Sequence, residues 1–123
     1  MISYKFNESL QILEVTYEGD IGFDDLIDYG DQIYYNEKLP RNLKILADAT
    51  RANYKIAPED ISIVAEYTEK QIEPYESVRA AFIQSKPVET ALSHLVEHEI
   101  NSKKYRHAVF STRKAAINWL MQD

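Results

Sequence analysis

The sequence has no cysteine, and this excludes disulfides, thiolate metal sites and cysteine nucleophiles. Glycine occurs only three times in 123 residues, at Gly19, Gly22 and Gly30, so no glycine-rich loop is available to cradle a phosphate. Basic residues are outnumbered 14 to 20 by acidic ones, a formal net charge of −6. A balance of that sign disfavours nucleic-acid binding, which needs a concentrated basic surface, and docking on an anionic membrane. No apolar run approaches the roughly 20 residues of a membrane-spanning helix. The N-terminus runs straight into strand-like alternation, with no basic-then-apolar signal region, so the expected location is the cytoplasm. Linkers and low-complexity stretches are also lacking, and one domain over residues 1–123 is expected.

What is present is a strand–helix rhythm. Ile2, Tyr4 and Phe6 alternate as in a half-buried strand, and Asn7-Glu8-Ser9 reads as a turn. Leu10, Ile12, Leu13, Val15 and Tyr17 follow, with a phase slip at Ile12/Leu13 that implies either a bulge or burial on both faces. Gly19-Asp20-Ile21-Gly22 reads as the break that ends this strand. Phe23, Leu26, Ile27, Gly30, Ile33 and Tyr34 recur at helical spacing, and Gly30 on the apolar face predicts a close approach to a neighbouring helix. Leu43 to Ala47 is a continuous apolar run of the kind found in central parallel strands, and Asp48 to Lys55 reads as a loop.

Pro58 opens a second helix with Ile61, Val64, Ala65, Thr68 and Ile72 on its inner face. Val78 to Ile83 is another buried strand. Pro87 opens a third helix, with Val88, Ala91, Leu92, Leu95, Val96 and Ile100 expected inward. Tyr105 to Phe110 is the last strand, and Ser111 to Leu120 a capped closing helix. The order β-β-α-β-α-β-α-β-α predicts an α/β fold: a mostly parallel sheet, an N-terminal β-hairpin and four helices.

This order resembles the SpoIIAA-like, or STAS, family over the whole chain. The residues that carry the resemblance are Leu43-Lys44-Ile45-Leu46-Ala47-Asp48, Arg79-Ala80-Ala81-Phe82-Ile83, and Val109-Phe110-Ser111-Thr112 leading to Ala115-Ala116 and Trp119-Leu120. The family includes anti-sigma factor antagonists and stand-alone bacterial domains. The resemblance implies a non-enzymatic regulatory module that works through protein contact, as a homodimer and without a cofactor. The antagonists carry a phosphorylatable serine in an Asp-Ser-Ser-Gly-like turn before the second helix. The corresponding stretch here, Tyr54-Lys55-Ile56-Ala57-Pro58-Glu59, has no serine or threonine, and Thr50, several residues early, is the nearest such hydroxyl before it. The kinase-controlled switch does not carry over.

Three constellations bear on chemistry. His94-Leu95-Val96-Glu97-His98 matches the His-x-x-Glu-His pattern of inverted zinc proteases. At about 100° per residue both histidines fall on the solvent side, so a solvated face rather than a metal site is expected. Strand ends supply the second constellation, because open parallel sheets bind ligands beyond their carboxyl edge. Asp48, Thr50 and Arg51, then Ser85 and Lys86, then Ser111, Thr112 and Arg113 stand there as candidate ligand-binding residues, with Arg51, Lys86 and Arg113 able to form an anion site. Ser85 and Ser111 or Thr112 equally suit helix N-caps. The third is aromatic: Tyr54, Tyr67 and Tyr75 are candidates to border an apolar cleft with Arg51 or Arg113 at its mouth. His107 reads as a core-edge or surface residue rather than a base, with Asp48 as a candidate orienting group, and no catalytic residue is assigned. An interaction module predicts an exposed apolar patch on the second helix. A binder of a small anionic or lipid-like ligand predicts an enclosed pocket instead.

Overall fold

A computed structural model describes residues 1–122. The elements are β1 (Ile2–Asn7), β2 (Ile12–Gly22), α1 (Phe23–Tyr35), β3 (Asn42–Lys55), α2 (Ile61–Gln71), β4 (Ser77–Ile83), α3 (Pro87–Glu99), β5 (Tyr105–Phe110) and α4 (Arg113–Leu120). The strands form one sheet in the order β1-β2-β3-β4-β5. The β1–β2 pair is an antiparallel hairpin and every other pair is parallel. Successive crossovers of one hand, each advancing by one strand, place α1, α2 and α3 on the same face. The chain turns back after β5, and α4 covers the opposite face.

Two cores follow from this layering. Leu13, Val15, Ile45, Ala47, Val78 and Ala80 face α1–α3, together with Ile33 and Ile72. Ile12, Leu46, Ala81 and Ile83 face α4 and its Ala116 and Leu120. The slip at Ile12/Leu13 is therefore burial on both faces, not a bulge. Arg79 fastens α4: its guanidinium donates to the carbonyls of Trp119 and Gln122 and lies 4.6 Å from the Trp119 ring centre. It thereby satisfies carbonyls that a helix C-terminus leaves without partners.

Three expectations are corrected. First, β2 does not stop at Gly19 but runs on to Gly22, with Ile21 fully buried and Gly19 left-handed at φ +74°. Second, residues 48 to 55 are not a loop but the second half of β3. Only Tyr17 separates the ladder positions Thr16↔Asp48 and Glu18↔Arg51 on β2, whereas Ala49 and Thr50 both do so on β3. That extra residue is a bulge, and it inverts the strand's alternation, so that Ala52 faces the core after it as Ala47 does before. Third, α3 is rotated from its expected setting. Val88 and Leu95 are 65% and 50% exposed, whereas Glu89 and Ser93 are buried. Ser93 accepts from Gln84 Nε2 at 2.8 Å, and Glu89 Oε2 accepts from the Tyr54 amide at 3.4 Å. Buried polar groups that find partners outweigh a weak aliphatic stripe.

The expectation for Gly30 holds in a particular form. An added Cβ there would lie 1.9 Å from Gln71 Oε1, because the Gln71 side chain of α2 occupies the space over α1. Pro58 begins a 3-10 turn, Pro58–Asp60, that leads into α2.

Candidate functional site

The carboxyl-edge residues are placed as follows. Asp48, Thr50 and Arg51 gather around the β3 bulge with Thr16 and Glu18 in a polar depression. Asp48 Oδ1 accepts from both the Thr50 amide, at 3.1 Å, and the Thr50 hydroxyl, at 2.7 Å. Arg51 pairs with Glu18 at 3.5 Å, and both side chains are largely exposed. Arg113 goes elsewhere, to Glu14 at 2.7 Å. Its hydrogen bond, with a second from Asn7, holds the Glu14 carboxyl below the usual carboxylate range. Lys86 Nζ donates to Ala52 O at 3.0 Å and to Asn53 Oδ1 at 2.8 Å. Each of the three cations thus has its own acceptor rather than a shared vacant one. Thr112 is the N-cap of α4, accepting from the Ala115 amide, with Ser111 exposed just before it. Ser85 is exposed and not a cap, since the N-cap of α3 is Lys86.

His94 and His98 are both exposed on α3, and no cluster of metal-ligating side chains occurs among the described residues. Thr50, the nearest serine or threonine before the Tyr54–Glu59 stretch, sits inside β3. Asp48 does not orient His107, because the carboxylate is engaged by Thr50 and the imidazole by Tyr105.

A more developed site lies between the sheet and α1–α3. A cavity of about 140 Å3 opens there, lined largely by apolar groups from Leu26 and Ile33 on α1, Val64 on α2, Leu92 and Val96 on α3, and Ile45, Val78 and Ala80 of the sheet. Its aromatic wall is Tyr17, Tyr29, Tyr54, Phe82 and Tyr105. Tyr17 is the hub, packing edge-on against Tyr29 and Phe82 at 5.9 Å each and against Tyr54 at 6.3 Å. Burial pushes the hydroxyls of Tyr17, Tyr29 and Tyr105 well up, and that of Tyr54 up to about 12, so all four are neutral.

Of the three tyrosines expected around a cleft, only Tyr54 lines this one. Tyr75 is buried, with its hydroxyl donating to Ile33 O at 2.6 Å and Arg41 above its ring. Tyr67 is on the outside of α2, edge-on to Phe23. Neither Arg51 nor Arg113 borders the cavity.

His107 also lines the wall. Its ring stacks on Phe82 with centres 4.5 Å apart, and Nδ1 lies 3.2 Å from the Tyr105 hydroxyl. Nε2 is buried and has no hydrogen-bond partner among the described residues. Burial first, and then the nearby His94, lower its pKa to about 4, so the imidazole is neutral near pH 7. Sequence reasoning missed Tyr17, Tyr29 and Tyr105 as a group. Their only signal was inward phase on strands β2 and β5 and on helix α1.

No protein-family model matches this chain, and no curated protein matches it. Solved structures do. An uncharacterized protein of the DUF3478 family from Shewanella loihica, described as having a SpoIIAA-like fold, aligns with a TM-score of 0.64 at 14% identity, over 97% of this chain and 93% of that one. The anti-sigma factor antagonist SpoIIAA in its unphosphorylated form aligns with a TM-score of 0.60 at 7% identity, over 100% of both chains. The chain has a SpoIIAA-like fold. At these identities the likeness is one of architecture and does not extend to side-chain chemistry. Among the described residues, no helix of this SpoIIAA-like fold is long and apolar enough to cross a membrane.

Proposed function

We propose that this SpoIIAA-like domain is a non-enzymatic regulatory module of the cytoplasm, acting through protein–protein contact and pairing with a second copy of itself. One observation carries the reading: Ile63 and Tyr67, one turn apart on α2, are each 41% exposed. With Phe23 packed edge-on to Tyr67, they form an apolar strip on the outer side of the helix layer. Such a strip is what an interaction module presents. An anti-sigma factor antagonist with the same fold supports a regulatory role, and the lack of cysteine suits a reducing compartment.

The missing cysteine also makes the test clean. A single Tyr67→Cys, labelled with a benzophenone maleimide and illuminated, should give an adduct of two chains or of this chain with a discrete partner. Lys5→Cys, exposed on β1, is the control position. Equal adduct yields at the two positions would remove α2 as the contact face.

A second reading draws on Asp48, Thr50, Arg51, Ser85, Lys86, Ser111, Thr112 and Arg113: binding of a small anionic or lipid-like ligand at the carboxyl edge of the sheet. It is supported by Arg113, just past the end of β5, and Arg51, which lies on β3 beyond the last ladder position of β4. An incoming anion there has to displace Glu18 from Arg51 or Glu14 from Arg113. The α2 strip needs no such displacement and is the preferred reading.

A further inference from the structure

We infer that the cavity between the sheet and α1–α3 binds a small neutral molecule, about one ring in size, whose polar group is held by the hydroxyls of Tyr17 and Tyr29. This site is separate from the α2 strip and from the carboxyl-edge residues, and stands whether or not either of those is used.

The two hydroxyls carry the argument. Tyr17 comes from β2 and Tyr29 from α1, and their rings meet edge-on with centres 5.9 Å apart. Both residues line the cavity. Neither hydroxyl has a hydrogen-bond partner among the described residues, and neither is closed off from a water-sized molecule. His107 Nε2 is closed off in that way and takes no part. After burial, the neighbour that most raises the Tyr17 hydroxyl is Tyr29, as two oxygens near one space require.

Other polar groups of the wall are already engaged. Tyr54 OH accepts from Gln84 Nε2 at 3.0 Å, Ser93 is bonded to Gln84, and Thr68 donates to Val64 O at 2.9 Å. Gln71 Nε2 donates to Ile27 O, and Tyr105 OH lies 3.2 Å from His107 Nδ1. A tyrosine hydroxyl inside a protein usually finds a partner. Two without one, on a shared wall, mark where a ligand's polar group sits. Each can donate or accept, so a hydroxyl or a carbonyl suits them.

Size and charge set the rest of the ligand. Apolar cavities of about 150 Å3 admit molecules as large as benzene. This one holds about 140 Å3. No Asp, Glu, Lys or Arg lines it, so an ionised ligand would lose its hydration with no counter-charge in return.

The test is titration of the full chain with phenol, benzene and benzoate, read by NMR at the methyls of Ile45, Leu92 and Val96. Phenol and benzene should bind saturably and shift those methyls. Benzoate, a ring with a charge, should bind at least about tenfold more weakly than phenol. In Tyr17→Phe/Tyr29→Phe, which removes only the two oxygens, the ratio of phenol to benzene affinity should fall by about tenfold. Benzene, which uses neither oxygen, should bind that variant about as before. If the double variant does not fold, each single variant should show part of the fall in the ratio. No saturable binding of phenol or benzene would overturn the inference. So would an unchanged ratio in the variants, or benzoate binding as tightly as phenol.

Discussion

Ser93 on α3 and Gln84 at the end of β4 are bonded to each other in both directions: Gln84 Nε2 donates to Ser93 Oγ at 2.8 Å, and Ser93 Oγ lies 3.1 Å from Gln84 Oε1. Both residues are buried. This pair sets the rotation of α3 about its axis, turning Val88 and Leu95 outward. Ser93→Ala leaves the buried Gln84 Oε1 without its partner, while Nε2 keeps Tyr54 OH, and should cost about 1–3 kcal/mol. Val88→Ser and Leu95→Ser should each stay within about 0.5 kcal/mol of wild type, as surface changes do. Urea unfolding of the three variants checks the rotation directly. A larger loss for Leu95→Ser than for Ser93→Ala would return the helix to the setting its aliphatic pattern suggests.

Gly30 and Gln71 form a second pair whose energetics can be separated. An alanine at position 30 forces out the Gln71 side chain, which donates to Ile27 O and Asp31 Oδ1 at 3.2 Å each. Gly30→Ala should therefore destabilise the domain by about 1–2 kcal/mol, despite the better helix propensity of alanine. In a Gln71→Ala background the obstruction is gone. There the same Gly30→Ala change should stabilise, by up to about 1 kcal/mol. A double-mutant cycle in urea reads the change of sign, and additivity of the two substitutions would contradict the contact.

These two pairs show how far the sequence could be read. Element order was legible because each helix and strand carries its own period: Ile61, Val64, Ala65 and Ile72 are buried as spaced, and Val78 to Ile83 lies in the sheet. Pro87 opens α3 as expected. What was not legible depends on contacts between distant residues. The β3 bulge depends on the alignment of β2 with β3, so the residues from Asp48 to Lys55 lost their alternation and resembled a loop. The face of α3 depends on Gln84 and Tyr54, partners that no helical wheel contains. The candidate residues at the carboxyl edge were legible as a group, but not the acceptor that each cation finds. His107 was legible only as a core-edge or surface residue, while the cavity beside it comes from three helices and the sheet closing over it.

Acid should expose the His107 environment. Its folded pKa of about 4 lies below the ordinary histidine value of 6.5, so the unfolded chain binds more protons in that interval. Stability is then lost as pH falls from about 6.5 towards 4, by about 3 kcal/mol in total if this group acts alone. Glu14 acts in the same direction but lower, because its lowered pKa places its loss below the ordinary carboxylate value of 4.5. Unfolding free energies of wild type and His107→Leu across pH 4–7 separate the two. Relative to His107→Leu, wild type should lose stability as pH falls through the histidine window, by up to about 3 kcal/mol. Parallel curves would mean that His107 titrates as an exposed imidazole.

The central claim, that the exposed strip on α2 is where this domain meets its partner and its own second copy, is tested most directly by sedimentation velocity. Wild type should sediment at twice the chain mass at micromolar concentration, and Ile63→Glu/Tyr67→Glu at the mass of one chain, with circular dichroism and thermal midpoint unchanged. A wild-type protein that stays at the mass of one chain at every concentration, or a double variant that still pairs, would contradict it.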